Sequence, residues 1–181
     1  MTMLNRMLAR GVVALTNSAR KLQSLQMRLT ADEVKDGMEH LEPYGFTSCP
    51  LPGAEGLAAF LGGDRSHGVV VVVADRRYRL TGLESGEVAI YTDEGDKIHL
   101  RRGRAIDIVT STLNITASEA MNINAPTVNI SAASTVNFDT PSIHQTGTII
   151  SDDDQVSGGI SLTGHVHAGV QSGDDTSGVP Q

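Results

Sequence analysis

The chain has 181 residues, a formal charge of −7 and 39% hydrophobic residues, enough for one or two small folded domains. Only 3% of its residues are aromatic and none is Trp, so a surface that reads bases or sugars by ring stacking is disfavoured. The acidic balance also repels phosphate backbones, which argues against nucleic acid as a partner.

In chain order, residues 1–100 read as short strands. Residues 11–15, 22–29 and 68–74 have strand character and are separated by Leu51-Pro52-Gly53 and Gly62-Gly63-Asp64. A second group, residues 77–80, 88–92 and 97–101, continues with turns at Gly82, Gly86 and Gly95. Short strands at this spacing predict a small antiparallel barrel. Its residues 69–73 are all Val, which suits a strand buried on both faces. The Arg101-Arg102-Gly103-Arg104 cluster closes this region and reads as a solvated group balancing Asp93, Glu94, Asp96 and Asp107. The competing reading, a collar for an acidic partner, is the weaker of the two.

The lone Cys49 has no intrachain disulfide partner. Residues 1–8 are followed by Arg10 and Gly11, so the apolar core of a secretory signal is lacking, and residues 69–73 are far shorter than the ~20 that cross a bilayer. Synthesis and folding in a cytoplasm are expected.

From Leu113 onward one phrase recurs: Leu113-Asn114-Ile115-Thr116, Met121-Asn122-Ile123-Asn124, Val128-Asn129-Ile130-Ser131, Val136-Asn137-Phe138-Asp139. Ile143 and Ile150 extend the spacing. In a strand, residues two apart share a face, so each phrase turns two apolar side chains one way and its Asn the other. A winding stack of very short strands is predicted. A single-chain parallel β-helix has room for fewer than two turns here, whereas solenoids need about three repeats to bury a continuous core. Three chains winding about one axis solve the problem, because each strand edge is then covered by a neighbour. At roughly 4.8 Å per stacked strand, six anchors make a shaft on the order of 25 to 30 Å long. The prediction is therefore an all-β homotrimer: an OB-like barrel over residues 1–100, an interwound β-helical shaft over 101–150, and a Gly- and Asp-rich apex over 151–181. Three copies would carry three times the −7, or −21.

The apex holds the one notable donor set, Gly164-His165-Val166-His167-Ala168-Gly169. His165 and His167, two residues apart, share a face of an extended segment, and one chain offers only two imidazoles, a weak metal site by itself. Around a threefold axis three chains would offer six, which suits an octahedral ion such as Fe(II) better than four-coordinate zinc. Such a metal would tie together three chain ends poor in apolar groups. Asp174 and Asp175 are oxygen donors of the kind that hold calcium, although a turn with solvated carboxylates explains them as well.

Catalytic signatures are missing. Ser66 and His67 are chain neighbours whose side chains diverge, and no Gly-x-Ser-x-Gly turn, P-loop or Cys-x-x-Cys pair occurs. Glu84, Glu87 and Glu94 carry no pattern that would bring two together as a glycosidase pair. An enzyme is not expected, and no catalytic residues are assigned.

Several motifs in order carry a resemblance: Arg10-Gly11-Val12-Val13, Ala31-Asp32-Glu33-Val34 with Tyr44-Gly45-Phe46-Thr47-Ser48, Gly62-Gly63 with His67-Gly68, the repeats, and residues 164–171. Together they resemble the central spike of contractile-tailed phages, specifically the Mu-like baseplate spike family. That resemblance implies a homotrimer in the virion tail baseplate whose OB-type barrel attaches to the tail hub. Its β-helical needle would be driven through the bacterial outer membrane when the sheath contracts, opening the way for the tail tube and genome ejection. It also implies an axial iron ion held by His165 and His167, with calcium and chloride as further associated ions. The alternatives are a trimeric receptor-binding fibre, adhesin or secretion-system tip and, more remotely, a cell-surface glycan hydrolase.

Overall fold

Alternation builds the first strand. Ala9, Gly11 and Val13 are buried while Leu8, Arg10 and Val12 face outward, which gives β1 (Leu8–Asn17) one inner and one outer face. The computed structural model describes residues 7–30, 33–169 and 173. After β1 come β2 (Ser24–Arg28), β3 (Val34–His40), β4 (Glu55–Phe60) and β5 (Gly68–Ala74). They close into a barrel in the order β1-β2-β3-β5-β4, with β4 pairing back onto β1. Every pairing is antiparallel except β3 with β5, which run parallel through Glu39 opposite Val69 and His40 opposite Val70. Five strands in this crossing order agree with the expected OB-like barrel.

Phe60, Leu25, Met27, Val13 and Val70 are the largest fully buried side chains. Small residues opposite them make the room: Ala9, Ala58 and Gly11 all face inward. A Cβ on Gly11 would stand 2.6 Å from the Arg28 carbonyl oxygen and 2.7 Å from Leu29 Cδ2, so only glycine lets the chain pass there. Ion pairs decorate the outer wall, with Arg10 and Arg76 both on Glu55 and Arg65 on Glu33.

The structure departs from the expected strands in three places. Residues 34–40 and 55–60 form β3 and β4, where Lys35, Asp36, Glu39 and Glu55 had masked the pattern. Residues 77–80 are no strand: Arg79 N–H donates to the Asp75 carbonyl at 3.1 Å, and the Asp75 carboxylate accepts from Arg77 N–H at 3.0 Å, which turns the chain. The valine run is buried only in its first half, where Val69 and Val70 are buried, while Val71 and Val72, the latter 52% exposed, face solvent. A register shift opposite Leu57 and Ala58 of β4, which pair with Val72 and Val70, leaves Val71 without a partner in that ladder.

The second group of expected strands does not join the barrel: β6 (Val88–Tyr91), β7 (Lys97–Arg101) and β8 (Ala105–Val109) form a separate antiparallel three-stranded sheet. Its register stacks Val88, Leu100 and Ile106 in one row and Ile90, Ile98 and Ile108 in a second, and all six are exposed. Glu87 ties the sheet together by accepting from Arg102 N–H, Glu84 N–H and His99 Nε2, each at 3.0 Å. These bonds, first that from the Arg102 backbone, hold the Glu87 carboxyl below its usual range. Arg101 reaches Asp107 at 3.2 Å, so this member of the arginine cluster balances a local carboxylate, as its solvated reading predicts.

The chain divides into two compact units, Met1–Ala120 and Met121–Gln181. In the second, β9 (Val156–Ser157) and β10 (Ile160–Ser161) form a hairpin. No helix among the described residues is long and apolar enough to cross a membrane.

Candidate functional site

Two features stand out. The first is the repeated segment. Among the described residues no strand lies between Val109 and Val156, and no residue from 113 to 150 takes part in a backbone-to-backbone hydrogen bond. The apolar members of every phrase are exposed, Ile123 at 62% and Ile130 at 69%, and so are the Asn residues between them. The physical reason is that a segment whose turns are too few to stack on themselves has no edge of its own to pair with. The strands expected there are unformed in the isolated chain.

The second feature is the β9–β10 hairpin. Gly158 and Gly159 have φ of 58° and 85°, which marks a two-residue primed turn and brings Ile160 opposite Ser157. Just outside the two strands, Leu162 N–H donates to the Gln155 carbonyl at 2.9 Å, and Thr163 N–H donates to Asp154 Oδ1 at 3.1 Å. Hydrogen bonding from Ser161, then from the Thr163 backbone, holds the Asp154 carboxyl below the usual carboxylate range. One member of the acidic run 152–154 is thus an organiser of the hairpin, while Asp152 and Asp153 are exposed.

The hairpin aims the first histidine. Ser161 Oγ accepts from Gly164 N–H at 2.6 Å, folding the chain back, and the His165 Nδ1 stands 2.8 Å from the Ser161 carbonyl. A carbonyl only accepts, so Nδ1 carries the proton and Nε2 keeps its lone pair available to a metal. The rings of His165 and His167 have centroids 5.1 Å apart at an interplanar angle of 79°. No group of three or more metal-ligating side chains occurs among the described residues. One chain thus offers an ion two imidazole donors, short of an octahedral set. Asp174 and Asp175 lie outside the described residues.

Sequence reasoning passed over Ser161 and Asp154, the residues that orient His165 and pin the hairpin. The Gly158-Gly159 pair was the available signal, because two adjacent glycines between short apolar-containing segments mark a tight hairpin whose flanking polar groups become caps.

A closed barrel, an unpaired Asn-punctuated apolar segment and a hairpin presenting His-x-His define an all-β protein. Residues 10–77 match the family described as Bacteriophage Mu Gp45, N-terminal, and residues 159–181 match the GpV Apex motif. The chain is 47% identical over 114 residues to the baseplate puncturing device gp45 of Escherichia phage Mu, covering 63% of this chain and 58% of that protein. It is 38% identical over 120 residues to the Mu-like prophage FluMu protein gp45 of Haemophilus influenzae strain Rd, covering 62% of this chain and 65% of that protein. The aligned stretches thus span less than two thirds of either relative. The matches at both ends and the two relatives support a Mu-like baseplate spike family for this chain.

Proposed function

We propose that this chain is the central spike of a contractile phage tail baseplate, working as a homotrimer that pierces the bacterial outer membrane when the sheath contracts. The observation that carries the reading is the exposed apolar row of residues 113–150, which one chain leaves bare and three interwound chains would bury. Residues 1–100 act as the OB-like hub attachment, 101–150 as the β-helical shaft and 151–181 as the apex. An interwound trimer resists lateral unfolding because no strand leaves without breaking contacts to two other chains. That is the mechanical property a force-transmitting needle needs.

At the apex His165 and His167 from three chains would hold one iron ion, which when bound cross-links the chain ends and converts binding energy into folding energy. Ser161 contributes by fixing the His165 tautomer and aiming Nε2 away from its own backbone. Calcium at Asp174 and Asp175, and chloride, are secondary proposals for the same region. The work is mechanical, in keeping with a relative named as a puncturing device, and no catalytic step is assigned.

Light scattering combined with elemental analysis of the purified protein tests this reading. Three chains per particle and one iron per three chains are expected. A folded particle with the mass of one chain would overturn it.

A further inference from the structure

The scarce aromatic residues are placed unevenly. The chain has three Tyr and three Phe, and two of these six, Tyr44 and Phe46, sit in the connection between β3 and β4. Tyr44 is 104% exposed and Phe46 63%, in a barrel whose Phe60 is fully buried.

Local chemistry holds the pair outward. Phe46 N–H donates to the Pro43 carbonyl at 3.0 Å, and Gly45 between them has φ of 85° while Tyr44 has no left-handed backbone. This is a type II turn, which needs glycine at its third position and displays the side chain at its second. On the far side of the turn, the Glu42 carboxylate accepts from Ser48 N–H at 2.7 Å and from Thr47 Oγ1 at 3.1 Å. The loop is moored to the barrel along its length: Leu41 N–H donates to the Val70 carbonyl at 3.0 Å, Gln23 Nε2 to the Ser48 carbonyl at 2.6 Å, Thr16 Oγ1 to the Pro50 carbonyl at 2.8 Å and Gly53 N–H to the Val13 carbonyl at 2.8 Å. A loop fixed in advance loses little conformational freedom on docking.

Charge adds a direction. Arg20 and Lys21 line a recess together with Thr47 and Ser48, and its one carboxylate, Glu42, is engaged within the loop. In a chain of net charge −7 this is a local cationic surface lined in part by the same loop that carries the two exposed aromatic side chains. Aromatic anchors next to Arg, in a polar surround, are the composition of protein-binding hot spots.

We propose that the loop of residues 41–54 is where the barrel docks onto the tail hub protein. Tyr44 and Phe46 enter an apolar pocket on that partner, and Arg20 and Lys21 face carboxylates at the pocket's rim. The inference rests on the baseplate reading above and names the surface that reading leaves open.

The test uses the full-length chain and the hub protein of the same tail, both purified, with affinity measured by calorimetry. Tyr44→Ser with Phe46→Ser is expected to weaken binding at least about tenfold, the scale of a lost hot spot, with particle mass and unfolding temperature unchanged. Arg20→Glu with Lys21→Glu is expected to weaken it by an amount that shrinks as salt rises. Binding by the aromatic variant as tight as wild type would overturn the inference alone. A changed particle mass in that variant would assign the loop to contacts between copies of this chain and also overturn it. Failure of the wild-type chain to bind the hub protein would remove the baseplate reading, and this inference with it.

Discussion

The barrel and the repeated segment solve the same problem in opposite ways. Both carry apolar side chains at strand spacing, yet Leu25, Met27 and Phe60 are buried by strands of their own chain while Ile123, Ile130 and Phe138 are bare. The difference lies in chain length per closed unit. Residues 8–74 supply five strands that close on themselves, with both edges of every strand used. Residues 113–150 supply phrases of four residues separated by turns, each too short to meet another from the same chain. Local patterning sets which side chains seek burial, and the number of strands available in one chain decides whether neighbours must provide it.

The sharpest way to break this comparison is to put charge where the second region needs neighbours. Ile123→Asp with Ile130→Asp should abolish assembly: the particle mass should fall from three chains to one, with the barrel still folded by its own circular dichroism melt. Each buried Ile contributes roughly 1.5–3 kcal/mol, and three copies of two sites are lost together. Retention of a full-size particle would show that the repeats do not join chains.

The converse substitution targets the self-sufficient region. Phe60→Ala removes a fully buried ring from the barrel and should cost about 3–5 kcal/mol of barrel stability in denaturant unfolding, with particle mass unchanged. A lower particle mass would mean that the two regions do not stand apart.

At the apex a smaller effect is expected. His165→Ala with His167→Ala should reduce bound iron to background and lower the first unfolding transition by several degrees, leaving the barrel transition in place. Unchanged metal content would refute the ligand assignment.

The smallest effect concerns Glu87. Its carboxyl is held below the ordinary value of 4.5 by hydrogen bonds from Arg102, Glu84 and His99, so it favours the folded sheet above that value, and the contribution fades as pH drops through the folded-state value. Glu87→Gln should therefore be less stable than wild type at neutral pH, with the gap narrowing in acid. A gap that stays constant with pH would refute the role of the ionised carboxylate.

Much of this division was legible in the sequence. The repeated phrases are a recurring period, and the lack of pairing within one chain follows from counting them. In the barrel, residues 68–74 were legible because five consecutive valines have few other uses, and β1 and β2 because residues 11–15 and 22–29 carry apolar side chains at strand spacing. β3 was hidden because Val34–His40 carries three charged side chains outside the core, Lys35, Asp36 and Glu39, and the inner positions Met38 and His40 gave too faint an alternation. At the apex the histidine pair was visible by its spacing, but the groups that aim it are a backbone carbonyl and a serine hydroxyl, which have no pattern of their own. The aromatic loop was legible only as residue types; its exposure comes from a turn geometry that Gly45 permits and Glu42 secures.

The parallel contact between β3 and β5 sets a timetable for biosynthesis. β5 is the last strand of the barrel in the chain, and it fills the gap between β3 and β4, so the sheet cannot close until Ala74 has left the ribosome. At that moment the sticky row beyond Leu113 is still being translated. Each polypeptide can thus close its barrel before the exposed repeats emerge behind it.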